Sequence, residues 1–145
     1  MSTWGRADFQ ELVRMRDKFQ QLQSGELEKL AIDLTNEIAA RLFRKIVKRT
    51  PVGQYPSSSG KVGGTLKGAW TIGTLTKTGN MYQIEIINPN MYAPYVEFGH
   101  RTRDHKGWVK GRFMLTISEK EIENITPKLI EKRIMEYLRW CFNGQ

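Results

Sequence analysis

Apolar side chains recur at helical spacing through the first third of the chain. The pattern is loose over residues 1–23, where Gln and Arg lie between the apolar positions, and it predicts a first helix. From Leu27 the apolar positions fall three or four residues apart, which is the strongest helical pattern in the sequence. Thr50 should end this second helix, because Pro51 pushes the residue before it out of helical geometry.

The middle of the chain carries a loop pattern followed by a hairpin pattern. Residues 51–68 are rich in Pro, Gly and Ser, which predicts a long mobile loop. Residues 69–76 and 81–88 show the alternation of apolar and polar positions that is typical of strands, and residues 77–80 have the composition of a turn. These segments predict a β-hairpin with one apolar face, which includes Trp70.

Beyond the hairpin, weak patterns give way to helical ones. Residues 91–98 fit either a short helical turn or a third strand. Residues 100–112 are basic and rich in turn-forming residues without a core pattern, so they predict a second long mobile loop. Helical spacing returns over residues 112–125 and 127–142, which predicts two helices, the second capped by Thr126.

The order of these elements predicts an α+β fold. A small antiparallel sheet is expected to pack against a long N-terminal helix and C-terminal helices, with two long mobile loops. A length of 145 residues suits one domain. We therefore expect a single domain over residues 1–145, in which residues 1–23 form an extension and residues 24–145 form the core.

The chain is strongly basic. Its 23 Lys and Arg against 15 Asp and Glu leave a formal net charge of +8 with the histidines neutral, which indicates attraction to nucleic acid, to an acidic protein surface or to a negatively charged lumen. The basic residues form two clusters. One lies at the end of the second helix and comprises Arg41, Arg44, Lys45, Lys48 and Arg49; the other lies within residues 100–112.

The rest of the composition excludes several classes of protein. The one cysteine, Cys141, leaves no pair for a disulfide or a zinc ribbon, so we expect a reducing compartment and no structural zinc. The longest apolar run, Tyr92 to Val96, is far shorter than a membrane span of about 20 residues, and we expect neither a membrane segment nor a signal peptide. Trp70 and Trp140 are expected in the core, and Trp108 at an interface.

The sequence offers little candidate chemistry. Glu97, His100, Asp104 and His105 are the closest grouping of carboxylates and imidazoles, but their spacing fits no established metal or catalytic motif. A structural role near a turn is favoured for Glu97 and His100, and a solvated position for the other two. The serine run and the glycines of the first loop lack the order of a nucleophile elbow or a phosphate-binding loop. We expect no catalytic residue, metal site or cofactor.

Three segments carry a recognisable pattern. They are Thr50–Gly53 (TPVG), Gly64–Trp70 (GTLKGAW) and Tyr92–His100 (YAPYVEFGH), with Asn88 between the last two. In order and spacing they resemble the signatures TPV-x-TG-x-LR-x-SW and YA-x-YVE-x-G of the phage tail-component family typified by the tenth gene product of a lambdoid siphophage. The resemblance covers residues 26–142.

The resemblance assigns one set of residues, and the charge of the second loop assigns another. Its motif and core residues are Leu66, Trp70, Tyr92, Tyr95, Glu97 and Gly99. The first two would open the sheet and anchor the core, and the other four would shape the turn that leads into the second loop. That second loop would be the interaction loop, with His100, Arg101, Arg103, Lys106, Trp108, Lys110 and Arg112.

Members of this family look like tail-completion or head-tail joining subunits that assemble into a ring at the top of the tail, without catalytic activity. The implied partners are other copies of the chain in a hexameric ring, the neighbouring tail-tube and head-tail connector proteins, and DNA in the channel through non-specific contact, with no membrane. The implied location is the virion, and the host cytoplasm during assembly. The alternative interpretation is a small basic nucleic-acid-binding protein, which the charge favours without a groove-reading motif; a hydrolase or metal enzyme comes third.

Overall fold

The computed structural model describes residues 10, 13–14, 16–17, 20 and 25–143. Most of the first predicted helix, over residues 1–23, lies outside the described residues, and its described positions are helical. The chain divides into two compact units, Met1–Leu34 with Lys128–Gln145, and Thr35–Pro127. The second unit holds the strands and every residue that the sequence singles out as motif or interaction loop.

The elements follow the predicted α+β order. The helices are α1 (Leu27–Arg49), α2 (Thr65–Gly68), α3 (Ala93–Phe98) and α4 (Met114–Asn143), with a short 3-10 turn at Ser57–Ser59. The strands are β1 (Thr71–Ile72), β2 (Thr76–Thr78), β3 (Met81–Gln83), β4 (Ile86–Ile87), β5 (Gly99–Arg101) and β6 (Trp108–Lys110). The long helix ends directly before Thr50, as predicted. Residues 91–98, for which the sequence leaves two alternatives, contain the short helix α3.

The predicted hairpin is confirmed, with a tighter turn and one extra residue in its first strand. β1 pairs with β4 and β2 with β3, all antiparallel, and the turn lies at Gly79, whose φ is 60°. Ile72 lies opposite Ile86 and Thr76 lies opposite Gln83. Three residues of the first strand therefore lie opposite two of the second, which is a β-bulge.

The bulge changes which side chains of the first strand face the core. Leu75 is half-buried and Thr74 is exposed, whereas strict alternation along the strand predicts the reverse. In the second strand the predicted alternation holds, and Tyr82, Ile84 and Ile86 are half-buried. An extra residue moves every later side chain to the opposite face, which accounts for the error at residues 74 and 75. Ile72, before the bulge, is 43% exposed although the alternation places it on the apolar face.

The core of the second unit forms between α1, α2, α3 and the start of α4. Its buried apolar residues are Ile46, Leu66, Trp70, Ala93 and Met114. Around them pack the partly buried side chains of Leu42, Phe43, Val47, Ile86, Val96 and Leu115. Leu66 reaches this core from the helical turn α2, so it does not open the sheet as the resemblance implies. The loop predicted over residues 51–68 ends four residues early, at Gly64, because α2 begins at Thr65.

A buried polar link joins the end of α1 to the hairpin. The Trp70 indole Nε1 donates a hydrogen bond of 2.8 Å to the Thr50 hydroxyl, which in turn donates one of 2.8 Å to the Ile46 carbonyl oxygen. Thr50 is 3% exposed and Trp70 is 7% exposed. A buried indole N–H without a partner would destabilise the fold, so this link allows the ring to be buried whole.

The C-terminal region is one helix, and the predicted break at residue 126 is wrong. Pro127 lies inside α4, and Thr126 donates its hydroxyl to the Ile122 carbonyl oxygen at 2.6 Å instead of capping a new helix. Pro127 removes the donor for the Glu123 carbonyl, but that turn is exposed and water can replace the missing partner. Trp140 is 53% exposed, so its predicted place in the core is also wrong. Across the described residues, no helix is both long and apolar enough to span a membrane.

Part of the first basic cluster is neutralised within the chain. Glu121 of α4 accepts hydrogen bonds from Lys45 at 2.8 Å and from both terminal nitrogens of Arg49. Arg49 also donates to the Ser118 hydroxyl at 3.2 Å. Hydrogen bonds from Arg49 and then from Lys45 lower the pKa of Glu121 from its ordinary 4.5 to about 2. The cluster therefore joins α1 to α4 in addition to contributing positive charge.

The paired Glu121 predicts an acid-sensitive contribution to stability. Its folded pKa lies below its unfolded value, so the contribution is complete above pH 4.5 and is lost as pH falls toward about 2. Unfolding by urea at a series of pH values should show a steeper loss over this window in the natural protein than in Glu121→Gln. The exposed Glu123→Gln serves as control and should keep the natural slope. Equal slopes in all three proteins would contradict the prediction.

Trp70 should be a major contributor to stability. Trp70→Ala empties a large part of the core and should lower the free energy of unfolding by about 3 to 5 kcal/mol, as truncation of buried aromatics does. Trp70→Phe keeps most of the ring but leaves the Thr50 hydroxyl without its donor, and should cost less. Denaturant unfolding measures both. A loss below about 1 kcal/mol for the alanine variant would mean that the ring is not buried.

Candidate interaction surface

Glu97 is a buried carboxylate that caps the long C-terminal helix. It lies in α3 and is 5% exposed. One carboxylate oxygen accepts the Leu115 N–H at 2.9 Å, and the other accepts the Thr116 N–H at 2.8 Å and the Thr116 hydroxyl at 2.6 Å. The first N–H groups of a helix lack partners within it and carry partial positive charge. A carboxylate from a neighbouring helix satisfies them here.

Two glycines allow the backbone around Glu97 to pass close to the segment before α4. The carbonyls of Val96 and Glu97 accept hydrogen bonds from Arg112 at 2.8 Å and Phe113 at 3.1 Å. Gly99 has a φ of 87°, and a Cβ there would overlap the Val109 carbonyl oxygen. A Cβ at Gly111 would likewise overlap the Glu97 carbonyl oxygen. The glycine of the YVE-x-G pattern is thus required by a crossing of two backbones.

The segment predicted as a second mobile loop forms a hairpin, so that prediction is wrong. β5 pairs with β6 in antiparallel fashion. At its tip Thr102 and Gly107 exchange hydrogen bonds: the Thr102 N–H donates to the Gly107 carbonyl at 3.0 Å, and the Gly107 N–H donates to the Thr102 hydroxyl at 2.9 Å. The Asp104 carboxylate accepts from the Thr102 hydroxyl and from the Lys106 N–H, and these bonds lower its pKa. Backbone and polar turn contacts hold this hairpin, which is why no apolar pattern marks it.

The hairpin carries the predicted interaction residues outward. Arg101, Arg103, Lys106, Trp108, Lys110 and Arg112 are all exposed, and His100 is half-buried. The Trp108 side chain is 63% exposed, as an interface residue requires. The ring of His100 packs edge-on against Tyr95 with their centroids 6.3 Å apart. The second basic cluster is therefore a set of exposed cations on an ordered scaffold.

The motif residues divide into two groups. Leu66, Trp70, Glu97 and Gly99 are buried, whereas Tyr92 and Tyr95 are 46% and 58% exposed. Asn88, from the same pattern, also has a structural contact: its side-chain amide donates to the Leu66 carbonyl oxygen at 2.8 Å. The two tyrosines therefore form part of the surface, while the remaining motif residues hold the fold.

A groove of about 380 Å³ lies beside the hairpin. One wall is the Pro51–Gly64 loop, and the other includes Val109, Lys110 and Arg112 of the hairpin and its exit. Tyr92 and Tyr95 line the groove between these walls. We refer to this space as the loop–hairpin groove. It brings the first predicted loop against the second, a proximity that no local sequence pattern could indicate.

The loop wall is closed at its base and apolar at its surface. A Cβ at Gly63 would overlap the Gly53 carbonyl oxygen, so the two ends of the loop touch. Between them Tyr55 is 50% exposed and Val62 is 83% exposed, and the Lys61 ammonium lies 5.7 Å from the Tyr55 ring centroid. Sequence reasoning missed Tyr55 and Val62 as surface candidates; the signal was two apolar residues within a polar segment.

The four residues considered as a catalytic or metal-binding group each have a separate structural position. Glu97 caps α4, His100 places Nδ1 2.8 Å from the Arg101 carbonyl oxygen, and Asp104 holds the hairpin tip. His105 occupies the same tip with a φ of 59°. Among the residues that the structure describes, no group of three His, Cys, Asp or Glu lies close enough to hold a metal ion.

The sequence was compared with known protein families, and a family model matches it. The model of the family described as "Bacteriophage HK97-gp10, putative tail-component" matches residues 14–99, which is more than half of the chain. No match is found among curated proteins or among solved structures. The matched range ends at Gly99, and so contains the Glu97 cap but not the β5–β6 hairpin beyond its first residue.

The Glu97 cap should stabilise the fold measurably. Glu97→Ala leaves the part-buried donors of Leu115 and Thr116 without their acceptor and should cost about 1 to 3 kcal/mol in denaturant unfolding. Glu119→Ala removes an exposed carboxylate from the same helix and is the matched control. Hydrogen exchange at the Leu115 and Thr116 amides should accelerate in the first variant alone. Equal losses in the two variants would mean that the cap contributes nothing.

Proposed function

This chain belongs to the HK97-gp10-like family of phage tail components and is thus a part of the virion, and we propose that it acts as a tail-completion or head-tail joining subunit. In this role copies of the chain form a hexameric ring at the top of the tail. The ring contacts the tail-tube proteins on one side and the head-tail connector on the other, after assembly in the host cytoplasm. The task is structural and involves no catalysis.

One observation carries the proposal. The buried motif residues are used within the fold, whereas the β5–β6 hairpin holds its cations and Trp108 outward on a scaffold that is already ordered. A joining subunit needs exposed contact groups that cost little ordering free energy when a neighbour binds. Its two surfaces, the hairpin and the outer face of α1 with Arg44 and Lys48, are different, which suits the heterologous contacts that close a ring.

Nucleic-acid binding is the second candidate function. The net charge of +8 and the exposed Arg101, Arg103 and Lys106 favour contact with phosphates. In a tail this contact would be non-specific, with the DNA that passes through the channel. Affinity for DNA falls steeply as salt rises, so a salt series separates this candidate from a protein partner.

The hairpin cations should be dispensable for folding and required for joining. Replacement of Arg101, Arg103 and Lys106 by Ser removes exposed groups and should change the free energy of unfolding by no more than about 0.5 kcal/mol. The same variant should yield fewer complete infectious particles when it complements a phage that lacks the gene. A melting curve and a complementation assay measure the two effects.

A matched triple variant tests whether the yield of infectious particles depends on cations at the hairpin or on net charge alone. Lys128, Lys132 and Arg139 are exposed on α4, and their replacement by Ser removes the same charge at another place. This control should complement normally. If both triple variants lose infectious particles equally, net charge and not the hairpin is responsible. If the hairpin variant melts much earlier and still complements, the hairpin serves folding and the proposed role is wrong.

A further inference from the structure

We propose that the loop–hairpin groove binds an acidic, apolar segment of a neighbouring protein of the phage particle. The inference rests on the proposed function for where that neighbour is found, since a joining subunit must contact unlike proteins. It goes further in naming the site and the chemistry of the segment. The groove is separate from the three cations at the hairpin tip that the complementation test removes.

The apolar part of the groove points to an apolar ligand group. Val52, Val62 and Tyr55 on the loop wall are at least half exposed, and Tyr95 opposite them is 58% exposed. Neither Tyr92 nor Tyr95 has a hydroxyl hydrogen bond to a described residue. Apolar surface of this kind gains free energy when it is covered. Among the described residues Tyr55 meets the Lys61 ammonium and Tyr95 meets the His100 ring, and these contacts leave half or more of each tyrosine exposed.

The charged part of the groove points to an anionic ligand group. Lys110 and Arg112 are exposed at the hairpin wall, and of the described residues that line the groove none is Asp or Glu. The first basic cluster differs in this respect, because Glu121 and Glu37 pair with three of its members. The groove cations thus lack a carboxylate of their own among the lining residues, and a carboxylate from another chain would complete the site.

A protein segment fits this lining better than the other two occupants. Of the described lining residues only Lys110 and Arg112 are Lys or Arg, and both lie at the hairpin wall, whereas binding of a single strand requires cations along the whole backbone in addition to rings for its bases. A second copy of this chain carries a net charge of +8 and offers a cationic groove fewer acidic contacts than an acidic neighbour does, so the copies of the proposed ring should meet elsewhere on their surfaces. An acidic segment with apolar side chains satisfies both parts of the lining. Its carboxylates would meet Lys110 and Arg112 while its apolar groups cover Val62 and Tyr95.

Fluorescence anisotropy with short labelled peptides tests the proposal directly. In the main probe glutamates alternate with leucines and tyrosines. One control probe has glutamine in place of every glutamate, and another has serine in place of every leucine and tyrosine. The main probe should bind at least about tenfold more tightly than either control, because the groove needs both kinds of contact. An oligothymidylate of the same length reports on nucleic acid.

Variants at exposed positions locate the binding. Lys110→Ser with Arg112→Ser should weaken the main probe about tenfold, whereas Arg44→Ser with Lys48→Ser removes the same charge elsewhere and should not. Val62→Ser should weaken it as well, whereas Met91→Ser, at an equally exposed position outside the groove, should not. Melting curves confirm that all four proteins remain folded.

The outcomes separate this proposal from the function on which it rests. Equal binding of the main probe to the natural protein and to both groove variants would overturn it, as would the same affinity for all three peptides. Tighter binding of oligothymidylate that the groove variants abolish would assign the site to nucleic acid, and association of the chain with itself through the groove would assign it to a second copy. Either result overturns the proposal while the complementation test of the hairpin tip still stands.

Discussion

The Glu97 carboxylate is the contact on which the arrangement of the second half of the chain depends. It satisfies two backbone donors and one hydroxyl at the start of α4, and its own carbonyl accepts from Phe113 directly before that helix. This double attachment ties α3 to the start of a 30-residue helix and leaves the intervening residues to form a hairpin of fixed ends. The glycines at 99 and 111 are consequences of the same contact, since only they allow the backbones to come close enough.

Buried polar groups hold the end of α1 by hydrogen bonds, as Glu97 holds the start of α4. Thr50 ends the helix, bonds back to Ile46 and accepts the Trp70 indole, so one hydroxyl sets both the helix end and the depth of the tryptophan. Asn88 holds the Leu66 turn in a similar way. A short pattern of Thr, Trp, Asn and Glu can therefore mark this fold, because each of these groups is costly to bury without its particular partner. The tyrosines of the pattern, Tyr92 and Tyr95, are exposed, so the cost of burial does not explain why they belong to it.

The sequence predicts the elements that have a period and fails where contacts are non-local. The spacing after Leu27 and the Pro51 stop predict α1, and the two alternating segments predict the first hairpin. Gly73 is the one sequence feature that marks the bulge at residues 73–75, so the alternating pattern places Leu75 on the wrong face of the hairpin. Pro127 wrongly suggests a helix break because its cost is small where the freed carbonyl is exposed. The β5–β6 hairpin escapes detection because turn hydrogen bonds hold it instead of an apolar face, and the groove escapes because its walls come from segments about 50 residues apart in the chain.

The touching glycines at 53 and 63 have a consequence for how such a protein diversifies. Because the loop is closed at its base, a change in its length or composition has little effect on the core. The entropic cost of closing a longer loop also rises only slowly with the number of residues. Residues 54–62 can therefore be lengthened, shortened or replaced between lineages while Thr50 and Trp70 keep their places. Because this loop is also one wall of the groove, insertions here would alter the proposed binding site in a segment on which folding makes few demands. The wall of the proposed site could thus change its shape and chemistry while the core that carries it stays the same.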